Sequence, residues 1–468
     1  MLLLIVCIAA LILGYLVYSK FVEGAILPHR DTTPAVSMSD GMDYVPLSKR
    51  TNLLIELLNI AGTGPIFGAL MGAKWGPIVF VWIVAGTILG GAVHDYMCGM
   101  MSARNDGKST SYLVHKYLGS WAKYPFVILI LFVLIMVSAT FARSASDLLA
   151  MITEVPETVW VILILIYFLA STVLPINKLI GRIYPVFGIL LILMAVTVLV
   201  GLIAGGFEFP TFTLENLHPK GEEYLPDMFI TVACGAISGF HATQAPMVSR
   251  CIKDERDGRA VFYGAMVIES VIAVLWATAG LAFYGDTTHL ADALGMEGAS
   301  GVVYEISLGV AGPIGVILAV VGVIICPITS GDTALRSARM MIQDEYENKF
   351  DDRKRRIILT CILMVPIIFL CSIDFTILWN YFSWLNQTMA CVMLWTATVF
   401  LLLSSKPRSY ALITALPAIF MTMVVSTFIL HSPLGLSLDY DLSLLIGAAL
   451  TIIISVAFAK YYVRKTSL

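Results

Sequence analysis

Asn59-Ile-Ala-Gly-Thr-Gly-Pro65 lies in the middle of one apolar run, and Cys234-Gly-Ala-Ile-Ser-Gly-Phe-His241 lies in the middle of another. Glycine lowers helicity, and Pro65 has no amide hydrogen to give to the preceding turn. Both stretches therefore read as helix breaks, near 61–65 and 235–241. Thr63 or Gly64 would cap a new half-helix, with Pro65 at its favoured first position. The surroundings of these breaks are hydrocarbon. The chain of 468 residues is 59% hydrophobic and 13% charged, against about 25% charged residues in an ordinary soluble domain. In a bilayer, freed backbone groups persist only against a cavity, an ion or a ligand.

A spanning helix needs about 20 apolar residues. Runs bounded by charges, Pro and Gly place about thirteen helices, near 2–19, 52–73, 76–101, 124–150, 158–176, 183–205, 227–250, 259–284, 310–334, 357–373, 375–403, 409–430 and 441–462. With the N-terminus outside and the C-terminus cytoplasmic, 26 of the 29 Lys and Arg residues fall in inside loops, as the positive-inside rule requires. Lys74 and Lys220 fall outside, and Arg143 lies within a helix. The second helix runs outward and the seventh inward, five helices apart. Paired breaks in inverted halves are a pointer to a transporter binding site. The expected class is an all-α polytopic membrane protein with a five-plus-five inverted-repeat core. Residues 1–22 form an extra first helix, 50–205 the first repeat, 227–403 the second, and 409–468 two further helices. A net charge of −3 gives no basic footprint for nucleic acid. Eight cysteines without a CxxC pair indicate no metal cage.

A third interruption is expected in the ninth helix at Cys326-Pro-Ile-Thr-Ser-Gly-Asp-Thr333. Hydroxyls of Thr329 and Ser330, with carbonyls of Leu58 and Ala61, would make an all-oxygen site suited to Na⁺. Ionisable residues inside spans are functional candidates by default. They are Glu56, His94, Asp95, Arg143, Asp147, His241, Glu269, Asp332 and Asp374. Glu56 and Asp374 lie near helix ends. Arg143 and Asp147 are spaced to pair on one helix. His94 and Asp95 are adjacent, about 100° apart on a helix, and so do not both face one cavity squarely. His94, Asp95, Glu269 and Asp332 remain as candidate proton carriers. A carboxylate at the midplane would find donors at the half-helix start, on Gly62, Thr63, Gly64, Ile66 and Phe67. Ser238, His241 and Gln244 face it from the opposite break.

Four stretches resemble the carbon starvation protein A family of prokaryotic membrane proteins. They are Ile60-Ala-Gly-Thr-Gly-Pro-Ile66, Gly90-Gly-Ala-Val-His-Asp95, Gly235-Ala-Ile-Ser-Gly-Phe-His-Ala-Thr-Gln244 and Thr329-Ser-Gly-Asp-Thr-Ala-Leu-Arg-Ser-Ala-Arg339. The resemblance spans the core from about 45 to about 345 and implies a leucine-transporter-type fold. It also implies uptake of short peptides or pyruvate under carbon starvation, driven by H⁺ or Na⁺. The reading from sequence is thus a symporter in the cytoplasmic membrane, and not an enzyme. The alternatives are an ion channel, a membrane nutrient sensor or a membrane enzyme. A small-molecule substrate and the lipid bilayer are its partners, and the oligomeric state is left open.

Overall fold

The structure, a computed structural model, describes residues 1–28, 32–173, 176–345, 353–373, 375–404 and 407–463. Asp374 and the basic residues Arg30, Lys349, Lys406, Arg464 and Lys465 lie outside these. The principal helices are α1 (Leu2–Ile26), α2 (Lys49–Ile60), α3 (Gly64–Trp75), α4 (Val79–Ala103), α5 (Thr110–Leu118), α6 (Ser120–Thr153), α7 (Glu157–Val173), α8 (Ile176–Ala204), α9 (Gly239–Ser249), α10 (Glu255–Tyr284), α11 (Thr287–Glu345), α12 (Arg353–Leu370), α13 (Phe375–Ser404), α14 (Arg408–His431) and α15 (Tyr440–Phe458). Among the described residues the only extended pairing is an isolated bridge between Leu47 and Ile252.

Eight of these helices are single pieces long and apolar enough to cross a bilayer, and the bent pair α2–α3 makes a ninth. The other four expected spans fall on α7, the interrupted seventh segment, α11 and α12. The count of thirteen therefore rests on the sequence.

Burial separates a core from a periphery. In the apolar windows of α10, α13 and α4, 83%, 78% and 72% of residues are buried, against 28% in α1 and 17% in α15. The enclosed helices surround the two breaks, while α1 and α15 leave most of their apolar residues outside the packed core.

The first break is where the sequence places it. Helix α2 ends at Ile60, α3 begins at Gly64, and their axes differ by 58°. The second break lies about three residues earlier than expected. Helix stops at Thr231, Val232 has φ −90° and ψ 65°, and α9 resumes at Gly239 after an extended Ser238. The reason is a cap from elsewhere in the chain. The side-chain oxygen Oδ1 of Asn386 on α13 accepts from the Phe240 amide at 2.6 Å, which satisfies one of the unpaired donors at the start of α9.

The two breaks pack on each other. A Cβ on Gly64 would come within 2.1 Å of the Cys234 Cβ, so the absence of a side chain there is what permits the contact. A Cβ on Gly239 would lie 2.3 Å from the Asn386 carbonyl oxygen.

Two expectations are corrected. Helix α11 runs without interruption through 326–333, its non-helical residues being Gly298 and Gly312. The Thr329 hydroxyl donates back to the carbonyls of Ile325 and Cys326 in its own helix, at 2.9 and 3.0 Å, a local bond that leaves the helix intact. Arg143 pairs with Glu157, Nε to Oε1 at 2.8 Å, and donates to the Cys371 carbonyl at 2.6 Å. A partner across the interface thus replaces Asp147.

Candidate functional site

A fully buried cluster of acids and imidazoles sits between α2, α4, α9 and α10. Glu56, Asp95, His241 and Glu269 are each 0% exposed and His94 is 1% exposed. Asp95 is the centre. Its Oδ1 accepts from His94 Nδ1 and its Oδ2 from His241 Nδ1, both at 2.8 Å. The far nitrogen of His241 lies 3.6 Å from Glu269 Oε2, and that of His94 lies 3.8 Å from Cys98 Sγ. Adjacent residues thus do share one site. The Asp95 carboxylate reaches sideways to its neighbour's ring, a contact that backbone angles alone do not reveal. Glu56, although near the end of α2, is enclosed in the core and faces Asp95, His241 and Glu269 electrostatically. Among the described residues, neither oxygen of Glu56 or Glu269 has a hydrogen-bond partner.

The break residues are buried as a group: Leu58, Ala61, Gly62, Thr63, Gly64, Ile66 and Phe67 on one side, Ser238, His241 and Gln244 on the other. The amides of Ile66 and Phe67 turn back to the Thr63 carbonyl, at 3.2 and 2.7 Å, and that of Gly62 to the Ile60 carbonyl at 2.9 Å. Among side chains at this half-helix start, the Thr63 hydroxyl is buried and unpartnered among the described residues, as are both polar side-chain atoms of Asn59. Across the break, Gln244 Oε1 is unpartnered as well. Buried polar groups are normally satisfied, so a concentration of orphans at both breaks is what a site filled by water or a polar ligand leaves behind. The room at Gly62 and Gly64 is taken by Phe141 and Cys234. These glycines therefore serve the contact between helices as well as any ligand.

Thr329 and Ser330 reach the first break from α11. The Ser330 hydroxyl lies 2.9 Å and the Thr329 hydroxyl 3.5 Å from the Leu58 carbonyl oxygen. Three oxygens that the sequence associates are thus together, and among the described residues these hydroxyls make no hydrogen bond to the Ala61 carbonyl. Asp332 has different company. Its Oδ2 accepts from Ser171 and Tyr184, at 2.5 and 2.8 Å, and it takes no part in the hydrogen bonds and ion pairs of the histidine cluster.

A strap before α2 closes over the C-terminal ends of α9 and α11. Val45 and Leu47 donate their amides to the carbonyls of Arg250 and Cys251. Asp43 lies 3.8 Å from both Arg336 and Arg339, each 1% exposed. Burial opposes ionisation of Asp43, but the guanidinium groups of Arg339, Arg336, Arg250 and Arg356 outweigh it and hold the carboxyl below the usual carboxylate range. Arg250 also binds Asp344 at 3.0 Å.

The sequence reading missed Asn386 and Asp43. A polar pair, Asn386-Gln387, inside an apolar span was the available signal for the first. No local signal marks Asp43.

The model of the family described as carbon starvation protein CstA matches residues 1–155, 144–285 and 284–428. The chain belongs to this family. Among CstA-family relatives, an uncharacterized membrane protein of Haemophilus influenzae is 39% identical over 345 residues, 62% of this chain and 92% of that one. The peptide transporter CstA of Campylobacter jejuni is 26% identical over 58% of this chain and 49% of its own length. The pyruvate/proton symporter BtsT of Escherichia coli is 26% identical over 57% of this chain and 47% of its own. The matches thus span about half the length of those two named transporters. In architecture this CstA-family chain is similar to MhsT, solved in complex with L-phenylalanine, with TM-score 0.56, 15% identity and coverage of 88% of this chain and 99% of that one. The fold is of the leucine-transporter type.

Proposed function

We propose that this chain is a secondary active symporter in the cytoplasmic membrane of a prokaryote, importing small carboxylate-bearing nutrients when carbon is scarce. Short peptides and pyruvate are the substrate classes, and the polypeptide enters from outside and ends in the cytoplasm. One observation carries the reading: two opposed helix breaks pack together in the protein core, with polar side-chain atoms on both that are unpartnered among the described residues, directly beside a buried acid–imidazole cluster. Freed backbone and orphaned polar atoms supply a site for a polar substrate. Titratable groups next to it supply a means of coupling to an ion gradient.

The carboxylate is placed on the Gly62–Phe67 segment, chiefly against the Thr63 hydroxyl and the start of α3, whose dipole favours negative charge. Ser238, His241 and Gln244 hold the remainder of the molecule. The cluster supports protons as the driving ion. A second reading, Na⁺ coupling, is favoured by the convergence of Thr329, Ser330 and Leu58 oxygens, and hard oxygen donors of this kind suit Na⁺.

Purified protein in liposomes, given labelled pyruvate or dialanine with a proton or a sodium gradient imposed in turn, tests both. Accumulation above equilibrium under a proton gradient is expected. Accumulation under sodium alone, lost when Thr329 and Ser330 are both replaced by Ala, would transfer the coupling role to that site. Uptake that never exceeds equilibrium under either gradient would replace symport by a channel.

A further inference from the structure

Each ring nitrogen Nδ1 beside Asp95 lies 2.8 Å from a different carboxylate oxygen, so both carry hydrogen and both rings turn Nε2 away from Asp95. For His94 that direction ends at Cys98. For His241 it ends at Glu269, 3.6 Å away, with the Cys234 thiol also beside the ring. The groups that face this pair are Glu56 from α2, Asp95 from α4, Cys234 before α9 and Cys326 from α11. No lysine or arginine is among the charges that act most strongly on them. The cluster must therefore balance its charge with protons alone, because an uncompensated buried charge costs several kcal/mol.

Resting on the symport reading above, we propose that Glu269 carries the co-transported proton, that His241 passes it on, and that Asp95 holds the imidazole in place for that transfer. In the loaded state Asp95 is an anion, His241 an imidazolium, and Glu269 and Glu56 are neutral acids, so the sum is zero. Release removes one proton from Glu269 and leaves a net charge of −1. In reloading, the N–H bond at His241 Nε2 breaks as the O–H bond at Glu269 Oε2 forms. The imidazole then takes a new proton at Nε2, while its Nδ1–H stays on Asp95. Cys234 touches both the first break at Gly64 and His241, so a bound carboxylate lies next to this charge. It is repelled by the empty cluster and accepted by the loaded one. The prediction is electroneutral entry of one monocarboxylate with one proton.

The experiment compares wild type with Glu269→Gln and Glu269→Asp in liposomes, using labelled pyruvate, a monoanion. A gradient of about one pH unit supports at most about tenfold accumulation for one proton per carboxylate, and wild type is expected to approach this. Glu269→Gln, which mimics the loaded acid, is expected to lose accumulation yet keep exchange between equal pools, with its dependence on external pH flattened. Undiminished accumulation by this variant overturns the proposal, and so does loss of exchange in a monodisperse preparation. If the amide variant does not survive purification, Glu269→Asp decides. Its shorter reach toward His241 is expected to shift the pH profile of uptake, and an unchanged profile overturns the assignment. Failure of wild type to accumulate pyruvate or dialanine under any gradient would instead remove the symport reading itself.

Discussion

Asn386 holds the start of a half-helix that lies almost 150 residues before it in the chain. Its side-chain oxygen accepts from the Phe240 amide, and its amide group donates to the Ser238 hydroxyl at 3.0 Å. Both groups are buried, so no water replaces the cap when it is removed. Asn386→Ala is expected to lower stability by about 1–2 kcal/mol, the range for a lost helix cap. Thermal unfolding in detergent measures this, and an unchanged midpoint would show that Phe240 finds another acceptor. At this scale the sequence is only partly legible. Ionisable residues in a span announce themselves by their cost, and so His94, Asp95, His241 and Glu269 stand out. Which of them meet does not, because an adjacent pair such as His94 and Asp95 is joined by side-chain rotation, and Asp332 is bound elsewhere by Ser171 and Tyr184.

Between elements, the decisive contact is the one between the two breaks. Gly64 and Cys234 are so close that even a methyl group on the first collides with the Cβ of the second. Gly64→Ala is therefore expected to destabilise by about 1–3 kcal/mol through overpacking. Pairing it with Cys234→Gly removes the colliding atom and is expected to restore most of the loss. A double-mutant cycle on thermal stability reads the coupling directly, and additive effects would mean that the breaks separate without penalty. A bulkier residue at Gly64 would abolish transport for this reason even if no substrate lay there, so the paired swap is the more informative substitution. Gly and Pro made both breaks visible in sequence. The three-residue displacement of the second was not visible, because its cap comes from α13.

Across the whole molecule, the strap carrying Asp43 ties the approach to α2 to the C-terminal ends of α9 and α11. Because its carboxyl titrates below the ordinary range when folded, the stabilisation it gives is present above the unfolded value of about 3.9 and fades as pH falls through the lower, folded value. Asp43→Asn is expected to cost about 3 kcal/mol near neutral pH, the lower end for breaking a buried pair. The gap between its unfolding midpoint and that of wild type is expected to close below about pH 4. A gap that persisted unchanged into acid would assign the effect to shape and not charge. Hydropathy, the distribution of basic residues, and the Gly and Pro clusters by themselves determined that this chain is a membrane-embedded helical protein, and they marked its two interrupted segments along with a third, at 326–333, through which the helix in fact continues. Each of these is a property of contiguous residues, set by transfer of side chains to hydrocarbon and by local backbone preference. The tertiary structure alone decided that Asp95 bridges two imidazoles, that Glu56 and Glu269 join them, that Asn386 caps α9, and that Asp43 meets Arg336 and Arg339. Those contacts depend on how distant helices pack, and the side-chain volumes that set the packing are spread over the whole chain.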